Sequence, residues 1–267
     1  MKKLFVLCLL SFVFCMGVEV LAYSQNDIDT ANFLAEKGIV TKQSNPKNYR
    51  LDDYITRAEL VGISLKLKGT PLPEDYKCKK YFSDVTANDW ICRAIELAAD
   101  GGLVSRENRT FNSQRNITRA ESLAIILKAS GLLDKMPEVL TNYIDRDFVF
   151  VPRAANLGQY ANIEEYLDFL MTTDLRAKDK RVILVDPFDW QFTIIQKGLY
   201  LKIIRRDDFS RGHPQDFLDG KKNPISDYDT YDIWSFSEWY FITRADAFKF
   251  MKNTYDKREL VSGEVSI

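Results

Sequence analysis

Apolar residues recur at helical spacing in several stretches of this chain, and glycine stops most of them. The clearest run follows Trp90: Ile91, Ala94, Ile95 and Ala98 lie three and four apart, which predicts an amphipathic helix. Gly101-Gly102 ends it as a C-cap signal. Leu103-Val104 resumes an apolar stretch, a polar loop runs from Ser105 to Thr110, and Phe111 follows. A second stripe, Leu123, Ile126, Leu127 and Ser130, stops at Gly131. It opens on Thr118-Arg119-Ala120-Glu121, a capping box: the Thr hydroxyl accepts the amide three residues on, and the Glu carboxylate reaches back to the Thr amide. The unit is therefore helix, loop, helix.

The unit recurs. Ile55-Thr56-Arg57-Ala58-Glu59, Ile117-Thr118-Arg119-Ala120-Glu121 and Ile242-Thr243-Arg244-Ala245-Asp246 share one pattern, and Tyr49, Phe111 and Phe236 each stand seven residues before the Thr. In the first copy, Ile28, Ala31, Phe33, Leu34 and Ala35 predict a helix ending at Gly38, and Leu60, Ile63, Leu65 and Leu67 predict a second after Thr56. This copy has Asn26 where the second has Trp90. In the third, Ile194, Ile195, Gly198 and Leu201 follow Trp190, but Trp190 to Thr243 spans 53 residues against 28 from Trp90 to Thr118. The third loop is thus enlarged, over about 207–235, and holds His213 and the aromatics Tyr228, Tyr231 and Trp234. Another insertion precedes it, in which Ile163 to Leu170 reads as an extra helix. The expected organisation is a leader over 1–22, units over 23–72, 73–134 and 181–256, an insertion over 135–180 and a tail over 257–267. A three-fold internal repeat argues against most single-site enzymes.

Lys2 and Lys3, the apolar stretch Leu4 to Val18 and Val20-Leu21-Ala22 have the form of a secretory signal cleaved after Ala22. An uncleaved anchor is the alternative, although Glu19 ends the run at about 15 residues, short of a span. Beyond the leader remain 35 basic and 37 acidic residues, with no basic block to suggest nucleic acid and no second apolar run to suggest a membrane span. Cys8 and Cys15 leave with the leader. Cys78 and Cys92 are then most simply a disulfide in an exported chain, closing a loop worth about 3 kcal/mol on the chain-entropy model, with two separate buried thiols as the alternative. His213 is the only histidine, so a metal site is a poor expectation, and no cofactor is implied.

Phe82-Ser83-Asp84-Val85, Trp90, Gly102-Leu103, Phe111 and Ile117 to Glu121 resemble the S-layer homology family, departing from it at Ser113, where that family usually has Pro. The outer copies carry the motif and its aromatic but are weaker upstream. The resemblance implies a mainly α fold: three helix-loop-helix repeats in a pseudo-three-fold prism around a central three-helix bundle, here with two insertions. It implies an exported, cell-surface or cell-envelope protein that is no enzyme. Its grooves would bind cell-wall polysaccharide, often pyruvylated, or peptidoglycan. An adhesive role toward other surface proteins through the aromatic insertions is the rival reading. An enzyme built on Asp186 and Asp189 has no motif behind it, and the adjacent Glu164 and Glu165 point apart on a helix.

The capping box needs Thr56 and Glu59, Thr118 and Glu121, Thr243 and Asp246, but it does not need the arginine between them. Arg57, Arg119 and Arg244 sit at N1, where the dipole mildly disfavours cations, and a guanidinium suits bidentate contact with a sugar carboxylate. The alternative is that each pairs with a neighbouring unit's acid. The intact middle copy makes a groove with Arg119 the first choice. Trp90 and Trp190 are either core residues or sugar platforms, and Asp84 is either a glycan contact or a turn residue. Tyr49, Phe111 and Phe236 are expected to pack.

Overall fold

The computed structural model describes residues 23–86, 91–133, 148–152, 181–185, 190–208, 210–211, 234–235 and 241–263. The leader, Trp90, Phe236, His213, Asp186, Asp189 and the expected helix at 163–170 lie outside them. The described chain is mainly helical. Its helices are α1 (Gln25–Glu36), α2 (Arg57–Lys68), α3 (Cys92–Asp100), α4 (Arg119–Ser130), α5 (Trp190–Tyr200) and α6 (Arg244–Gly263). The last runs past the unit boundary expected at 256. None of the described helices is long and apolar enough to cross a membrane.

Local chemistry sets the helix ends. Thr56 and Thr118 are extended N-caps whose hydroxyls accept from Glu59 and Glu121, and both glutamates return a bond to the cap amide. Such a cap is worth about 1 kcal/mol. Thr243 accepts from the Asp246 amide at 3.2 Å. Ser24 and Asp27 form a third reciprocal capping box, on α1. At the other ends, Ile39, Leu103 and Ile203 donate to Leu34, Ala98 and Gly198, the six-to-one bond of a Schellman turn. That turn needs a left-handed residue, supplied by Gly38 and Gly102 in the first two units and by Lys202, at φ 59°, in the third.

The three capped helices α2, α4 and α6 touch pairwise. Each first helix packs chiefly on the capped helix of a neighbouring unit: α3 on α2, α5 on α4, and α1 on α6. At that last contact Phe33 meets Tyr255 edge-on at 5.6 Å, with the Lys37 ammonium over both rings. Gly198 lets α5 approach α4, because a Cβ there would lie 3.0 Å from Leu123 Cδ2. The units thus bury each other's apolar faces, and the sequence hands round in a circle.

Two short sheets were not expected. β1 (Phe148–Pro152) pairs parallel with β2 (Arg181–Val185), and β3 (Ser210–Arg211) pairs antiparallel with β4 (Trp234–Ser235). In sequence the first pair brackets residues 153–180 and the second brackets residues 212–233. Cys78 and Cys92 are bonded, as expected, tying the segment before α3 to its first turn. Buried Glu96 ties the same segment again, accepting the amides of Lys79 at 2.6 Å and Tyr81 at 3.1 Å.

Candidate functional site

The three motif isoleucines are fully buried and bonded head to tail. Ile55 donates to Ile242, Ile117 to Ile55 and Ile242 to Ile117, at 3.1 to 3.2 Å. Extended backbone just before each cap makes this closed ring possible. It brings the N-terminal ends of α2, α4 and α6 together, and with them three arginines and three acids.

Each arginine reaches the capping acid of the next unit. Arg57 meets Glu121 at 3.5 Å, Arg119 meets Asp246 at 2.6 Å, and Arg244 meets Glu59 at 3.0 Å. The acid that caps one helix therefore also holds the neighbour, which is the pairing the sequence allowed as an alternative to ligand contact. All three guanidiniums lie over aromatic rings: Arg57 over Phe111 at 5.0 Å, Arg119 over Phe250 at 5.6 Å and Arg244 over Phe248 at 5.7 Å.

The junctions differ in what else they contain. Arg119 is the most enclosed, with 12% of its side chain exposed, and its Nη2 also donates to the Asp208 carbonyl at 3.0 Å. The Asp208 carboxylate, 2% exposed, accepts from Lys249 at 2.7 Å and from the Arg205 amide at 2.7 Å. A turn of the third unit thus fills the space beside Arg119 with its own acid. At the Arg244 junction, Nε donates to the Tyr49 carbonyl at 3.0 Å, while the Glu59 contact is an ion pair without hydrogen-bond alignment.

The Arg57 junction is the loosest. Among the described residues Glu121 is its single ion-pair partner, and Arg115 takes the same carboxylate oxygen at 2.7 Å. Burial lowers the Arg57 pKa from its ordinary value; Glu121 opposes that and Arg115 adds to it. Burial alone would raise the Glu121 pKa, but the Arg115 hydrogen bond, the Thr118 amide and the charges of Arg115 and Arg57 outweigh it and hold it low.

Of the other sequence candidates, Asp84 spends both oxygens on main chain, accepting the amides of Phe111 at 2.7 Å and Asn112 at 2.6 Å. It therefore fixes the loop that carries Phe111. Trp190 opens α5 with half its surface exposed, and Tyr49 and Phe111 are core. Cys78, Cys92 and Glu96 come together like a small metal-ligand set, but the sulfurs are bonded to one another and Glu96 holds main-chain amides. At the opposite helix ends, a cavity of about 510 Å³ is lined by Lys68, Lys128 and Arg258. Lys68 and Arg258 there donate to the carbonyls of Gly101 and Leu67, so these cations cap helix C-termini. Arg115, Asp208 and Glu96 escaped the sequence reading because no motif or periodicity marks them.

The sequence pattern of the S-layer homology domain matches residues 81–121, the heart of the second unit. Similar proteins include an amylopullulanase of Thermoanaerobacterium thermosulfurigenes, 30% identical over 110 residues, and the exoglucanase XynX of Acetivibrio thermocellus, 31% identical over 128 residues. The matched stretches cover 41% and 46% of this chain but 6% and 11% of those proteins. Residues 81–121 thus carry the pattern of an S-layer homology domain. In general that domain is a binding module that anchors proteins at the cell surface through cell-wall polymers, and it makes this chain an exported protein of the cell surface or cell wall.

Proposed function

We propose that the chain anchors itself non-covalently to the cell envelope by binding an acidic wall glycan, a pyruvylated polymer or peptidoglycan, at the junctions that hold Arg57, Arg119 and Arg244. On this reading the outer units are S-layer homology repeats like the second, and the chain binds glycan without turning it over. One observation carries it: three guanidiniums are gathered at three helix N-termini, where main-chain amides and the helix dipole also favour anions. The capping acids that meet them are carboxylates, the same group an acidic sugar would present.

Co-sedimentation of the leaderless chain with purified sacculi tests this, using intact sacculi and sacculi stripped of acidic polymer. The chain should pellet with intact sacculi and stay in solution with stripped ones. Remaining in solution with both would overturn the reading.

A further inference from the structure

We propose that the junction between the first and second units is the charge-selective site of the domain, and that Arg115 makes it so. With Arg57, Arg115 takes the carboxylate of an acidic sugar. This rests on the glycan-binding reading above and goes beyond it in naming the junction, the added residue and the charge it selects.

At the Arg119 junction, Arg119 and Lys249 are balanced by Asp246 and Asp208. At the Arg244 junction, Arg244 faces Glu59, and the nearby Arg50 is paired with Asp53. At the Arg57 junction two guanidiniums share one carboxylate, and Glu121 and Arg115 are the charged groups that face Arg57 among the described residues. Among the described residues the first junction alone has more cations than acids, and it lies at two helix N-termini.

The geometry gives that charge a use. Glu121 Oε2 is held by the Thr118 amide at 3.1 Å, so only Oε1 serves the arginines. It lies 2.7 Å from Arg115 and 3.5 Å from Arg57, which leaves Arg57 with unspent donors. The main chain fixes the two arginines side by side, the Arg57 amide donating to the Arg115 carbonyl at 2.8 Å. A second carboxylate arriving between them would complete the charge balance with two guanidiniums as donors. Arg115 is 38% exposed, so it can turn to meet a ligand while Arg57 stays fixed against Phe111. Asp53 and Tyr240 hold the position of Arg115 in the first and third units, so the device belongs to this junction only.

Calorimetric titration of the leaderless chain tests the assignment. The probes are a monosaccharide with a pyruvyl ketal and the same sugar with a neutral isopropylidene ketal. The wild type should bind the charged sugar most tightly at one site, and the neutral sugar there at least tenfold more weakly. Arg115→Gln should lose about tenfold for the charged sugar, the worth of one charge-assisted hydrogen bond, and nothing for the neutral one. Arg115→Lys should restore part of the loss. Equal losses for both sugars, an unchanged affinity in Arg115→Gln, or three equivalent sites would each overturn the inference. If the wild type pellets with sacculi and any of these results is found, anchoring stands and this assignment falls. If it neither pellets nor binds the charged sugar, both fall.

Discussion

The junctions at Arg119 and Arg57 are built from the same five-residue motif, yet one is filled and the other is short of an acid. Arg119 has a close partner in Asp246 and a second in the Asp208 carbonyl. Arg57 has a distant partner that a second arginine holds more tightly. Identical local sequence therefore fixes the cap and leaves the electrostatics to whatever the neighbouring loop supplies. In the filled junction the arginine is committed to cohesion, and in the open one it keeps donors to spare.

The sharpest way to break the contrast is to empty the filled side. Asp208→Ala removes a buried carboxylate that serves both the half-buried Lys249 and the Arg205 amide and should cost about 3 kcal/mol, read as a lowered denaturant midpoint. A loss below about 0.5 kcal/mol would show that Asp208 does not hold this junction together. Next in size, Arg119→Ala should cost about 2 kcal/mol, against less than about 1 kcal/mol for Arg57→Ala. Equal costs in thermal melts would erase the distinction between the two.

Acid offers a weaker lever on the open side. Glu121 has a folded-state pKa below its ordinary value near 4.5, so the unfolded chain takes up the proton first. Its contribution is fully present above about pH 5 and is lost as pH falls through the depressed value. Glu121→Gln should therefore flatten the acid limb of stability against pH, and an unchanged limb would count against the shared carboxylate. The smallest effect is a gain. Lys202→Gly should stabilise the turn after α5 by about 1 kcal/mol, because it removes a side chain from the left-handed region. No rise in melting temperature would mean that Lys202 pays no strain there.

Sequence made the caps legible, since Thr56-Glu59 and Thr118-Glu121 are contacts within one turn. It also allowed the arginine-to-acid pairing as an alternative. It did not reveal which acid each arginine meets, because that depends on the order in which the helices close the circle. Arg115 and Asp208 were hidden for the same reason: their partners lie in other turns or other units. Glu96 looked like a polar position on an amphipathic helix, and only the fold aims main-chain amides at it. The strands at 148–152 and 181–185 are short apolar runs, which periodicity alone does not distinguish from buried helix segments.

The circular hand-over of helices has a consequence for how such a chain can be cut. In a linear stack of repeats an end unit has one neighbour, so trimming it sacrifices one interface. Here α1 rests on α6, and every unit therefore has two. Deleting any one unit breaks both of its contacts and exposes a capped helix on each side of the gap. A truncated pair is thus no smaller version of the whole, whereas reopening the chain between units and joining its former ends would keep every interface.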